Sequence, residues 1–256
     1  MPLLESNDVT LYYEEHGQGY PVLAFSPGGL TATVDWWQHP AAPIDVTRVL
    51  SDDYRVIVMD QRNAGGKSHG PISETDSWDT YLRDHLALLD HLGIQRCHLY
   101  GQCIGGPFVL SLLREQPQRF SCAVLAQPIG RLGPLPEEKG ASFITWADLV
   151  SQRSDVDDAV IESFYLNLYG PGFGYSIDRE FAKRCQTPCM VLAGNDDTHP
   201  FDYAEELAGL LPDSIFIPEW KSGEDLAPAA RRIKQFLSDH TPKAADGSVA
   251  HQLPRG

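Results

Sequence analysis

The residues best equipped for chemistry stand in one short run, Leu99-Tyr100-Gly101-Gln102-Cys103-Ile104-Gly105-Gly106. The pattern is G-x-C-x-G, a thiol with glycine two residues away on each side. A cysteine thiolate can attack a carbonyl carbon and hold the acyl group covalently. A side chain presented at a sharp turn sits in a strained backbone conformation, and neighbours two positions away must lack a Cβ to avoid collision. The flanks predict such a turn. Cys97-His98-Leu99-Tyr100 reads as an apolar strand, and Ile104, Phe108 and Leu112 recur at helical spacing after it. Pro107 falls in the first helical turn, where its missing N–H costs nothing. Cys103 would then sit at a helix N-terminus, an environment that lowers the ordinary thiol pKa of about 8.5.

The elements that must position this turn follow from pattern. Residues 9–15 and 21–25 read as strands separated by a Gly-containing turn, and Tyr54–Met59 as a buried strand. Trp78, Leu82, His85, Leu86, Leu89 and Leu92 mark an amphipathic helix closed by Gly93. Further strands are expected at 122–126, 188–193 and 214–218, with a final amphipathic helix carrying Leu226, Ala229, Ile233 and Phe236. Strand, helix, strand, turn, helix is the order of a mostly parallel sheet with helices on both faces. The stretch from about 131 to 184 breaks the alternation, with Pro134 and Pro136, helical patches and the aromatic residues Phe143, Trp146, Phe164, Tyr165, Tyr169, Phe173 and Tyr175. Asp202 with Glu205 has the spacing of a capping box for the helix that follows. From Thr241 onward the composition turns to Pro, Ala, Gly, Ser and Lys, which predicts a disordered tail over 241–256.

Composition excludes several functions. A net charge of −15 over 256 residues would repel nucleic-acid phosphates and anionic lipid, so neither is an expected partner. No apolar run approaches membrane-spanning length, and the first residues lack a basic, apolar leader, so a cytoplasmic location is expected. Five cysteines without a CxxC pair fit neither a disulfide framework nor a zinc site. Cys97, Cys122, Cys185 and Cys189 lie in or beside apolar runs and read as small buried hydrophobes. No metal or organic cofactor is implied, and the oligomeric state is not written in any motif.

Taken together, residues 9–240 resemble the α/β-hydrolase superfamily. The G-x-C-x-G-G turn is similar to the nucleophile elbow of its cysteine-using members, and Asp60-Gln61-Arg62-Asn63-Ala64-Gly65-Gly66-Lys67-Ser68 is similar to its D-x-R-G-x-G-x-S turn, with Asn63 at the first glycine. The resemblance implies one domain over 1–240, with a short helical cap inserted at about 131–184. It implies an oxyanion hole from Gly28 or Gly29, in the Ser26-Pro27-Gly28-Gly29 loop, together with Ile104. It also implies a catalytic acid after the penultimate strand, where Gly194-Asn195-Asp196-Asp197 points to Asp197, with Asp196 as the alternative.

The chain departs from the family at the base. The loop after the last strand, Pro218-Glu219-Trp220-Lys221-Ser222-Gly223-Glu224-Asp225, holds no histidine. Three readings stay open: His199, on the acid loop, replaces the base; the thiol needs less help than a serine would; or the site has lost its chemistry and binds a small molecule. His16, His39, His69, His85, His91, His98, His240 and His251 read as surface or packing. The expectation is a Cys103 acyl hydrolase for an ester, thioester or lactone, with Cys103, Asp197 and His199 as the catalytic set. A binding pseudo-hydrolase, or a lyase or carbon–carbon hydrolase on the same scaffold, are the rivals.

Overall fold

The computed structural model describes residues 2–6 and 8–243. Of the expected tail, residues 244–256 lie outside this description, His251 among them. The described residues form one sheet of eight strands: β1 (Leu3–Ser6), β2 (Val9–His16), β3 (Tyr20–Phe25), β4 (Tyr54–Met59), β5 (Cys97–Gln102), β6 (Phe120–Ala126), β7 (Cys189–Leu192) and β8 (Ser214–Ile217). Their order is β1-β2-β4-β3-β5-β6-β7-β8. β1 and β2 pair antiparallel, as do β2 and β4, and every other neighbouring pair is parallel. β1 was not expected from the sequence; its four residues are mostly exposed and carry no apolar alternation.

Side chains alternate across a strand, so a sheet covered on both faces needs apolar residues at every position. β3, β5 and β6 are buried throughout. Leu23, Phe25, Leu99, Ala123 and Leu125 face one core, and Val22, Ala24, Tyr100, Cys122 and Val124 face the other. The first core is covered by α2 (Trp78–His91), α3 (Gly105–Glu115) and α7 (Phe201–Leu210), and the second by α1 (Val46–Val49) and α8 (Leu226–Asp239). The buried histidines belong to this packing. His85 bonds Gln61 at 2.8 Å and His98 bonds Thr241 at 2.9 Å, and burial lowers both pKa values to about 3. The five cysteines are buried and unbridged.

Between β6 and β7 lie α4 (Ala141–Val150), α5 (Asp158–Tyr169) and α6 (Arg179–Arg184). Hydrogen bonds latch this segment to the body. Trp146 Nε1 donates to the Asn63 carbonyl at 3.1 Å, Arg153 Nη1 to Asn63 Oδ1 at 2.8 Å, and Trp78 Nε1 to the Leu168 carbonyl at 2.7 Å. Asn63 has the left-handed conformation (φ 59°) that its place in the turn anticipated. Asp60 holds the same turn by accepting from Val34 N and Lys67 N, and Arg62 makes a buried two-point pair with Asp84 at 2.5 and 2.7 Å.

The expected capping box at Asp202 does not form. α7 starts one residue earlier, at Phe201, with extended Pro200 in the cap position and no side chain bonded to the first turn. The helix-capping pattern is used upstream instead, where Asp196 accepts from the backbone N–H of Thr198 and His199 at 3.1 and 2.9 Å.

Removing one partner of the Arg62–Asp84 pair strands a charge in the interior. Asp84→Ala is expected to lower unfolding free energy by about 3–5 kcal/mol, read by urea denaturation.

Candidate active site

Ligands in open α/β sheets sit beyond the carboxyl ends of the strands. Three loops meet there: the one after β3, the turn after β5 and the loop after β7. The turn after β5 holds Cys103 at φ 58°, and backbone hydrogen bonds fix it on both sides. Cys103 N donates to the Ala126 carbonyl at 3.0 Å, while the Cys103 carbonyl accepts from Gly106 N at 3.0 Å and Ile129 N at 3.2 Å. The flanking glycines are required by space. A Cβ on Gly101 would lie 2.2 Å from the Gly105 carbonyl oxygen, and one on Gly105 would lie 2.9 Å from that of Phe25.

Cys103 is 7% exposed and lies at the floor of a cavity of about 850 Å³. Burial pushes the thiol pKa above its ordinary value. The backbone N–H groups of Ile104, Gly28 and Gly29 face the sulfur and oppose the rise without cancelling it, and the charge of Asp196 adds to it. The helix N-terminus therefore does not by itself leave an ionised thiol, contrary to the second reading of the sequence. Desolvation outweighs the dipole here. Gly28 reaches its place in a conformation (φ 120°) open to glycine, and a Cβ there would meet the Trp36 indole at 2.6 Å. Its carbonyl accepts from Thr31 Oγ1 at 2.8 Å, which fixes the orientation of the loop.

The loop after β7 carries an acid and an imidazole, and the acid that meets the imidazole is Asp196. Asp196 Oδ1 lies 2.7 Å from His199 Nδ1. Asp197, favoured from the G-x-x-D spacing, lines the cavity but is exposed and forms no hydrogen bond or ion pair among the described residues. The turn explains the difference. By accepting from two backbone N–H groups and the ring three residues on, Asp196 closes the loop around His199. Burial would raise the Asp196 pKa, but His199 and Lys221 hold it below the ordinary value.

His199 lines the same cavity as Cys103. Burial lowers its pKa below 6.5 and Lys221 pushes it the same way, with Asp196 opposing. The lowered pKa favours the neutral ring, and in the tautomer that donates from Nδ1 to Asp196 the lone pair lies on Nε2. That atom is buried and has no hydrogen-bond partner among the described residues. The loop after β8, where the family pattern expects histidine, is used for support. Trp220 is buried and donates to the Ala193 carbonyl at 2.7 Å, and Lys221 Nζ lies 2.8 Å from Asn195 Oδ1 and 3.5 Å from Asp196 Oδ2.

The cavity walls come largely from the segment between β6 and β7. Phe143, Tyr165, Tyr169 and Tyr175 line it, whereas Trp146 stacks on Phe164 and Phe173 packs against Tyr203. Sequence reading had not singled out Lys221 or Arg131. The acid-to-imidazole spacing of three residues, Asp196 to His199, was the local signal for the pair. Among the described residues, no cluster of three or more His, Cys, Asp or Glu could hold a metal, and no helix is long and apolar enough to cross a membrane.

Comparison with known proteins agrees with this geometry at the level of fold. The family described as alpha/beta hydrolase fold matches residues 21–151, just over half of the chain. The chain is 28% identical to "Putative carbamate hydrolase RutD" of Stutzerimonas stutzeri, over 94% of this chain and 99% of that one. It is 33% identical to 3-oxoadipate enol-lactonase 2 of Acinetobacter baylyi, over 51% of this chain and 46% of that one. Among solved structures, the enol-lactonase from Burkholderia xenovorans superposes with a TM-score of 0.66 at 19% identity, covering 93% of this chain and all of that one. With its sheet order, its strand-to-helix turn at Cys103 and this family match, the chain belongs to the alpha/beta hydrolase fold family.

Proposed function

We propose that the protein hydrolyses an ester, thioester or lactone through an acyl-enzyme on Cys103, with His199 as general base and Asp196 as the acid that orients it. One observation carries this reading: the unpartnered Nε2 of His199, on a ring fixed through Nδ1 by a carboxylate, in the cavity that holds Cys103. A buried imidazole nitrogen without a partner is costly in a site that only packs or binds apolar ligands. The relatives named above support the bond class, since a carbamate and an enol-lactone each present a carbonyl bonded to a heteroatom.

The reaction follows from the groups present. His199 Nε2 takes the thiol proton as the Cys103 sulfur attacks the carbonyl carbon. A thiol whose pKa is raised by burial needs that base. The C=O electron pair moves to oxygen, and the Gly28 or Gly29 and Ile104 N–H groups hold the resulting oxyanion. Collapse breaks the bond to the leaving group, which departs with the proton from Nε2. Water then gives a proton to Nε2 and its oxygen to the acyl carbon. The thiolate leaves, recovers the proton, and the carboxylic acid is released. Asp196 keeps Nδ1 protonated and stabilises the imidazolium in each half.

Five outcomes test the roles. Cys103→Ala is expected to abolish turnover of an activated aryl thioester, and His199→Ala to lower kcat/KM by roughly 10²–10⁴-fold. Asp196→Asn is expected to be severely impaired and Asp197→Asn close to wild type; the reverse order would overturn the assignment of the acid. Because the base acts when neutral, kcat/KM should rise with pH through a limb centred below 6.5. By NMR titration, the His199 imidazole pKa is expected to fall in Asp196→Asn and to rise in Lys221→Met, as the two charges act in opposite directions on the ring.

A further inference from the structure

We propose that Arg131 is the anion-recognising residue of the cavity and that the acyl substrate carries a carboxylate. This rests on the acyl-transfer reading of Cys103 and narrows the substrate class.

Arg131 reaches the cavity from the loop after β6. Ile129 N bonds the Cys103 carbonyl at 3.2 Å, and two residues on Arg131 N donates to the Phe173 carbonyl at 2.7 Å. Arg131 lines the cavity with Cys103 and His199. Its side chain is held by neutral groups: Nη1 donates to the Gly133 carbonyl, Nη2 to the carbonyls of Tyr169 and Gly170 at 2.9 and 3.4 Å, and the Tyr175 phenol also meets the guanidinium. Nε is buried without a hydrogen-bond partner among the described residues.

The charge is also left without a counter-ion. Arg55, Arg62, Arg114, Arg119, Arg153 and Arg179 each pair with a carboxylate, but no described ion pair includes Arg131. Arg131 differs from those arginines in lining the cavity that holds Cys103. Binding the carbonyls at the end of α5 accounts for the two Nη groups. It does not account for a buried N–H that goes unmatched, which costs free energy until an acceptor arrives. A carboxylate supplies both the acceptor and the missing charge. The surrounding Phe143, Tyr165, Tyr169 and Tyr175 would hold an apolar or aromatic body attached to it.

Binding and turnover test this separately. Calorimetry on Cys103→Ala with phenylacetate and with phenylacetamide is expected to favour the acid by roughly tenfold or more. Adding Arg131→Gln should erase the preference, and adding Arg131→Lys should keep part of it. On the wild-type enzyme, the phenyl thioester of succinic acid should exceed that of succinamic acid in kcat/KM, and the gap should close in Arg131→Gln. Equal binding of acid and amide to Cys103→Ala, or a preference that survives Arg131→Gln, overturns the proposal. That comparison needs no Arg131 variant to fold and no turnover to occur. Thioester turnover that is absent, or that survives Cys103→Ala, overturns the acyl-enzyme reading and leaves the binding result to decide Arg131.

Discussion

The structure depends on one local constraint, the left-handed conformation of Cys103 at the junction of β5 and α3. A non-glycine residue in that region costs about 1–3 kcal/mol, so the surroundings must impose it. They do so through three backbone hydrogen bonds at Cys103 and two glycines whose missing Cβ atoms let the strand, the helix and the end of β3 close to contact. The same geometry points the amides of Ile104, Gly28 and Gly29 at the sulfur. In the proposed reaction, stored strain and donor amides meet at the attacking sulfur.

Burial sets the character of this thiol. The amides around it would favour a thiolate, but the cavity floor is dry enough that the neutral form prevails. The same burial lowers the pKa of His199, which keeps the ring neutral and its outer nitrogen available. Desolvation thus acts on the two groups in complementary directions, favouring the proton on sulfur and the neutral form of the imidazole. In the proposed reaction, the charge appears only when the oxyanion and the imidazolium form, next to the amides and Asp196.

With the imidazole on the loop after β7 and none on the loop after β8, the last loop serves as support. Trp220 fills its space and ties it to Ala193, and Lys221 reaches Asn195 and Asp196 from the side. Acid and imidazole then lie three residues apart in one turn that closes on itself through Asp196. Such a pair needs no long-range register between two loops. It needs only that β7 end at the right height beside β6 and β5, which the parallel ladder secures. The helices between β6 and β7 complete the cavity above it, latched to the body through Asn63, Gly70 and Trp78.

The sequence by itself determined the sheet, its flanking helices and the turn at Cys103, because these rest on local periodicity and on the spacing of glycines around one residue. It also placed the Gly28-Gly29 loop and both acids of the β7 loop. It missed β1, a short exposed strand whose existence depends on its pairing with β2. Tertiary structure decided which acid meets His199, because a one-residue choice between Asp196 and Asp197 turns on the direction of a side chain in a closed turn. It outweighed the expected effect of the helix N-terminus on the thiol, because burial is a property of the whole packed cavity and not of the flanking residues. It also showed what Arg131 and Lys221 face, since their partners lie 38 and 26 positions away in the chain and no local pattern links them.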